Sequence, residues 1–122
     1  MYKKILCIDF DGVIHSYSSG WQGAGKISDP PVPGAIEWLI ELVKSDDFEP
    51  QIYSSRSRQD GGIIAMHHWL LRNGILLEIL NKIKFPTQKP AAFLTIDDRA
   101  ICFDGSFPTQ DQMKEFKPWN KQ

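Results

Sequence analysis

Two pairs of carboxylates stand in this sequence where catalytic groups are commonly found. "IDFDGV" places Asp9 and Asp11 one residue apart behind an apolar run, and "LTIDDR" places Asp97 and Asp98 behind another. Like charges gathered at the ends of buried strands repel strongly, so such groups persist if they are protonated or if a cation sits between them. All-oxygen donors with no neighbouring His/Cys set suit Mg2+ rather than zinc. A hard dication beside a carboxylate nucleophile suits phosphoryl transfer, where metal and hydrogen-bond donors offset charge on the transferring group.

The elements that must position these groups can be read along the chain. Lys4 to Asp9 is apolar with little alternation, as expected of a parallel strand covered on both faces. "SYSSGWQGAGKISDPPVP", residues 16–33, is rich in Gly, Ser and Pro and predicts a long flap loop. "PGAIEWLIELVKSDDF" carries Ala35, Ile36, Leu39, Ile40 and Val43 at helical spacing behind Pro33 and Gly34. "EPQIYSSRSR" reads as a short strand running into a polar turn. "DGGIIAMHHWLLRNG" reads as a second helix, with Ile63, Met66, Trp69 and Leu70 inward and Gly74 placed for a left-handed cap. "ILLEIL" fits a strand or a helical turn, "KFPTQKP" a loop, "AAFLTIDD" a strand, and "AICFDG" a last short strand. The tail, 106–122, predicts at most one helical turn with Phe116 or Trp119 docked back. Alternating strands and helices imply one three-layer, Rossmann-like α/β domain over residues 1–122, with a mainly parallel sheet, helices on both faces and no large cap. In such sheets ligands bind at the carboxyl ends of the strands, where Asp9, Ser54 and Asp97 all fall.

At these positions the chain resembles the haloacid dehalogenase (HAD) superfamily of aspartate-dependent phosphatases. "DFDGV" is similar to the family's Asp-x-Asp first motif, "IYSSRS" to its strand-end Ser/Thr, and "QKPAAFLTIDDRA" to its lysine followed by an acidic pair. The resemblance spans roughly residues 4–105, with the four motifs in order. It implies a nucleophile at Asp9 that becomes a transient aspartyl-phosphate. It implies an acid and base at Asp11, whose backbone carbonyl would also touch the metal. Ser54 would hydrogen-bond the phosphoryl group, with Ser55 pointing elsewhere or offering its backbone N–H. Lys89 would neutralise charge between nucleophile and phosphate, with Lys84 as the alternative lysine. Asp97 would ligate Mg2+, with Asp98 helping directly or through water. An acid at position 11 argues for a phosphatase or phosphotransferase, since the carbon–halogen cleaving relatives generally lack one there and the ATPases carry Thr. The short 16–33 insertion implies a capless or minimally capped member. Its open site suits a bulky substrate such as a phosphorylated polymer end or protein, with a nucleotide, sugar phosphate or other phosphomonoester under a homodimer-supplied lid as the alternative. The alternative function is a catalytically weak or inactive HAD-like module that binds a phosphorylated ligand or a protein partner.

Bulk properties narrow the partners. Net charge is −1 from 14 basic and 15 acidic residues, which gives no electrostatic argument for long nucleic acid or an anionic membrane. The apolar stretch behind Lys3 and Lys4 meets aspartate within five residues, too soon for a signal-peptide core, so a cytoplasmic location is expected. Cys7 and Cys102 read as buried hydrophobes in strands rather than as a disulfide or metal pair. Arg56 reads either as a substrate contact or as the partner of a carboxylate that fixes a loop, and Arg99 as the latter. His15 reads as a substrate contact or a solvated loop residue. His67 and His68 point about 100° apart on a helix and suit packing or surface roles better than one metal. Trp21 suits stacking on a base or sugar, or pinning the flap, while Trp38 and Trp69 read as core.

Overall fold

The computed structural model describes residues 2–122. Its elements run β1 (Lys4–Ile8), α1 (Ala35–Ser45), β2 (Phe48–Ile52), α2 (Gly62–Arg72), α3 (Leu77–Leu80), β3 (Leu94–Ile96) and α4 (Gln110–Lys114). Short 3-10 turns lie at Ser55–Arg58 and Trp119–Lys121. The three strands form a parallel sheet in the order β2-β1-β3. Lys84 adds a single bridge outside β2, opposite Gln51.

The register explains which side of the sheet is core. Leu6 pairs with Pro50 and Leu94, and Ile8 pairs with Ile52 and Ile96. Paired residues share a face and successive residues alternate, so these six form one apolar face. Against it pack Ile36, Leu39 and Val43 of α1, Met66, Trp69 and Leu70 of α2, and Ile79 and Leu80 of α3, in one continuous core. Each such side chain, fully buried, contributes about 1.5–3 kcal/mol. α3 touches both α1 and α2, so the three helices make one layer.

The other face carries Cys7 with Gln51 and Thr95 as its neighbours. A helix needs an apolar surface to bury its own stripe, and this face does not offer one. The chain crosses from Lys84 to β3 without a helix among the described residues. The expected helices on both faces are therefore corrected to one helical layer, while the parallel α/β sheet stands.

Local signals set most element ends. α1 begins after Gly34 in a left-handed conformation and stops at Asp46, also left-handed, whose carboxylate pairs with Lys3. α2 ends as its sequence suggests. Gly74 turns left-handed, its N–H reaches Leu71 O at 3.3 Å, and the N–H of buried Ile75 reaches Leu70 O at 3.0 Å. "ILLEIL" resolves to a turn of helix. Residues 100–105 form no strand: they are irregular and exposed, which leaves Cys102 exposed and free rather than buried. Trp38 is 38% exposed rather than core. In the tail, Thr109 caps α4 with a reciprocal Gln112 box, and the Trp119 indole N–H donates to Gly12 O at 2.8 Å. No helix among the described residues is long and apolar enough to cross a membrane.

Candidate active site

Parallel strands end at one edge, and here the alternation of the second face continues past the strand ends. Asp9, Tyr53 and Asp97 follow Cys7, Gln51 and Thr95 onto it. Over that edge lies a cavity of about 150 Å³, bordered by Asp9, Ser54, Ser55, Lys89 and Asp97 above Cys7, Tyr53 and Thr95. Ligand pockets typically span about 300–1,000 Å³, so this one would admit only a small group of a larger ligand.

The acidic side is crowded. Carboxylate oxygens of Asp9, Asp97 and Asp98 lie within 4.8 Å of one another. The Asp9 carboxyl is pushed up to about 8, first by burial, then by its hydrogen bond with Asp98 and the negative charge of Asp97. The Phe10 N–H, donating to Asp9 Oδ1 at 2.8 Å, opposes that rise. A carboxyl whose proton is held by burial and by acidic neighbours is one that a cation would deprotonate, and the donors are oxygens only. Asp97 Oδ1 accepts the Arg99 N–H at 2.8 Å, which orients it, while the Arg99 side chain pairs with no described carboxylate. Gly12 makes the crowding feasible. Its φ is +85°, and a Cβ there would stand 2.2 Å from Asp98 Oδ2.

Asp11 does not border this cavity. Phe10 O accepts the N–H groups of Val13, Ile14 and His15 in a tight turn that swings Asp11 onto the flap side. There Asp11 Oδ1 accepts from His15 Nδ1 at 2.8 Å, and Arg56 Nε donates to Asp11 Oδ2 at 3.0 Å. Arg56 Nη2 donates to Oδ1 at 3.2 Å. His15 Nε2 accepts the Asp29 N–H at 3.1 Å, which assigns the proton to Nδ1. His15 is thus buried behind Asp11, neither a solvated loop residue nor a substrate contact.

Arg56 corrects the substrate-binding reading. It is 0% exposed, and its Nη1 donates to the carbonyls of Gly23 and Ala24 at 2.9 Å each and of Lys26 at 3.1 Å. The guanidinium is spent on Asp11 and the flap, which is the loop-fixing role. The Trp21 ring lies on it, 4.9 Å from the guanidinium carbon, and stays 45% exposed.

Ser54 lies two residues past the end of β2 and caps the following turn. Its Oγ accepts the Arg56 N–H at 3.1 Å, and its own N–H donates to Ser57 Oγ at 3.0 Å. With the oxygen occupied as acceptor, the hydroxyl proton remains for a ligand in the cavity. Of the two lysines, Lys89 borders the cavity. Lys84 sits in a different hollow and pairs with Glu49 at 2.8 Å. The structure therefore brings together Asp9, Ser54, Ser55, Lys89, Asp97 and Asp98, with Asp11 and Arg56 paired at one side and Lys84 away from it. Sequence reasoning missed the Asp11–His15–Asp29 chain. The four-residue spacing from Asp11 to His15 was its one visible signal.

The chain matches no protein-family model, no curated protein and no solved structure.

Proposed function

We propose that this protein is a Mg2+-dependent phosphohydrolase of HAD-like type that works through an aspartyl-phosphate on Asp9. The observation that supports it is the convergence of Asp9, Asp97, Lys89 and Ser54 on one phosphoryl-sized cavity at the carboxyl edge of a parallel sheet, with Asp98 completing an acidic trio beside it. Mg2+, held by Asp9, Asp97 and the Asp11 carbonyl with Asp98 assisting, would supply charge neutralisation and keep Asp9 ionised.

In this reading an Asp9 oxygen attacks phosphorus, the bond to the leaving oxygen breaks, and Asp11 protonates that oxygen. Water then attacks the aspartyl-phosphate as Asp11 accepts its proton, releasing phosphate and restoring Asp9. The Ser54 hydroxyl and Ser55 N–H hold the phosphoryl oxygens, and Lys89 acts as a point charge between nucleophile and phosphate. The small cavity leaves the remainder of the phosphorylated substrate outside, in keeping with a nucleotide, a polymer end or another phosphomonoester. A homodimer's lid is one way to cover it. The test is phosphate release with Mg2+ from wild type beside Asp9→Asn.

One observation favours the second reading, a binding module: both Asp11 oxygens are occupied by Arg56 and His15. That reading predicts Mg2+-dependent retention of phosphate or a phosphate mimic without turnover, which equilibrium binding separates from hydrolysis.

A further inference from the structure

A buried guanidinium is costly unless every donor is met, so its contacts show what it is kept for. Arg56 has no exposed surface and divides its donors between two structures distant in sequence. Nε and Nη2 go to the Asp11 carboxylate, and Nη1 goes to three carbonyls of the flap, Gly23, Ala24 and Lys26. The planar fork lets one side chain serve both at once, which a lysine ammonium on its flexible stem cannot do. Its own backbone is fixed by the Ser54 cap and by Gly62, where a Cβ would meet Arg56 O at 1.9 Å. The far end of the flap is held separately: Asp29 accepts from Ser19 N–H at 2.8 Å and Oγ at 2.6 Å, and Trp69 Nε1 donates to Asp29 O at 3.0 Å.

We propose that Arg56 is a positioning residue that latches the flap to Asp11, so that the Asp11 carboxylate keeps its place on the flap side of the site only while residues 23–26 are seated on the guanidinium. The flap is then fixed beside the site rather than free to act as a lid over it. The latch itself is a structural statement; its catalytic consequence rests on the phosphohydrolase reading above.

The two parts are tested separately. Trypsin probes the latch, because Lys26 is exposed while its carbonyl is held by Arg56 and Ile27 is buried. The Lys26–Ile27 bond is expected to resist cleavage in the wild type and to be cut at least about tenfold faster in Arg56→Ala, since exposure of a cleavable bond tracks local opening. Asp11→Asn, which weakens only one side of the fork, should give an intermediate rate. On p-nitrophenyl phosphate, Arg56→Ala should lower kcat about a hundredfold with KM within about threefold, as misaimed catalytic groups do. Guanidinium ion at tens of millimolar should restore part of that kcat where equal NaCl does not, a readout that general loss of structure would not give. If Arg56→Ala does not fold, Arg56→Lys replaces it, with a cut flap and unrecovered kcat expected. An unchanged Lys26–Ile27 cleavage rate in a folded Arg56 variant overturns the latch. A rise in KM with kcat preserved overturns the positioning role and makes Arg56 a substrate contact. If the wild type releases no phosphate, the phosphohydrolase reading fails and the trypsin arm alone decides the latch.

Discussion

Crowding of Asp9 by Asp97 and Asp98 should be measurable as a pH dependence of folding. The Asp9 carboxyl has an ordinary value of 3.8 and stands at about 8 in the folded chain, raised by burial, by Asp98 and by Asp97. The folded state therefore binds this proton more tightly than the unfolded chain does. The stabilisation is fully present below pH 3.8 and is lost as pH climbs towards 8. A shift of about four units at 1.36 kcal/mol each sets a ceiling on the order of 5 kcal/mol. Water reaches the cluster at the sheet edge, so a realised loss of about 2 kcal/mol is expected, or about 10 °C in Tm for a chain of this size. The assay is thermal or urea unfolding at pH 5 and pH 8 in chelator, repeated with millimolar Mg2+ and with Asp9→Asn. Wild type should lose stability between the two pH values, Mg2+ should return most of it at pH 8, and Asp9→Asn should show little of the slope. His67, held low mainly by burial, titrates in both proteins and cancels in the comparison. Equal slopes in wild type and Asp9→Asn, with no response to Mg2+, would refute the reasoning about the cluster.

Further consequences follow from neighbouring residues. Gly12→Ala places a methyl against Asp98 Oδ2 on a backbone of φ +85°, so it should cost about 1–3 kcal/mol in urea unfolding and weaken the Mg2+ response. Lys89→Ala should lower kcat/KM by about a hundredfold, whereas Lys84→Ala, which removes only a surface pair with Glu49, should leave it within about twofold and shift stability by less than about 1 kcal/mol. Asp11→Asn should slow both formation and breakdown of the aspartyl-phosphate, seen as loss of both phases in a rapid-quench time course.

How far the sequence carries differs by element. β1, α1 and α2 are read correctly because each has a single dominant pattern: an unbroken apolar run, helical spacing behind Gly34, and helical spacing closed by Gly74. The second face of the sheet was misread from β1 alone, where Ile5 and Cys7 are as apolar as Leu6 and Ile8. Its character is set by Gln51 and Thr95, and only the register places these beside Cys7. "AICFDG" has strand-like residues but no paired edge in this fold, which shows that local β preference needs a partner strand to take effect. Within the site, carboxylates at strand ends were legible because their position in the chain fixes their position in space. For Arg56 the loop-fixing role was one of two readings left open, but its flap carbonyls and the Asp29 partner of His15 were not legible, since no local pattern determines the flap's path. Lys89 was preferred over Lys84 from the sequence, and the cavity borders Lys89 while Lys84 pairs with Glu49 in a different hollow.

The decisive experiment is phosphate release in Mg2+ from wild type and Asp9→Asn side by side. The panel would span p-nitrophenyl phosphate, nucleotides, sugar phosphates and 5′- or 3′-phosphorylated oligonucleotides. Turnover by wild type on at least one class, lost in a folded Asp9→Asn and in chelator, is the expected result. Full turnover by Asp9→Asn, or silence of the wild type across the panel with Mg2+ demonstrably bound, would contradict a nucleophilic Asp9.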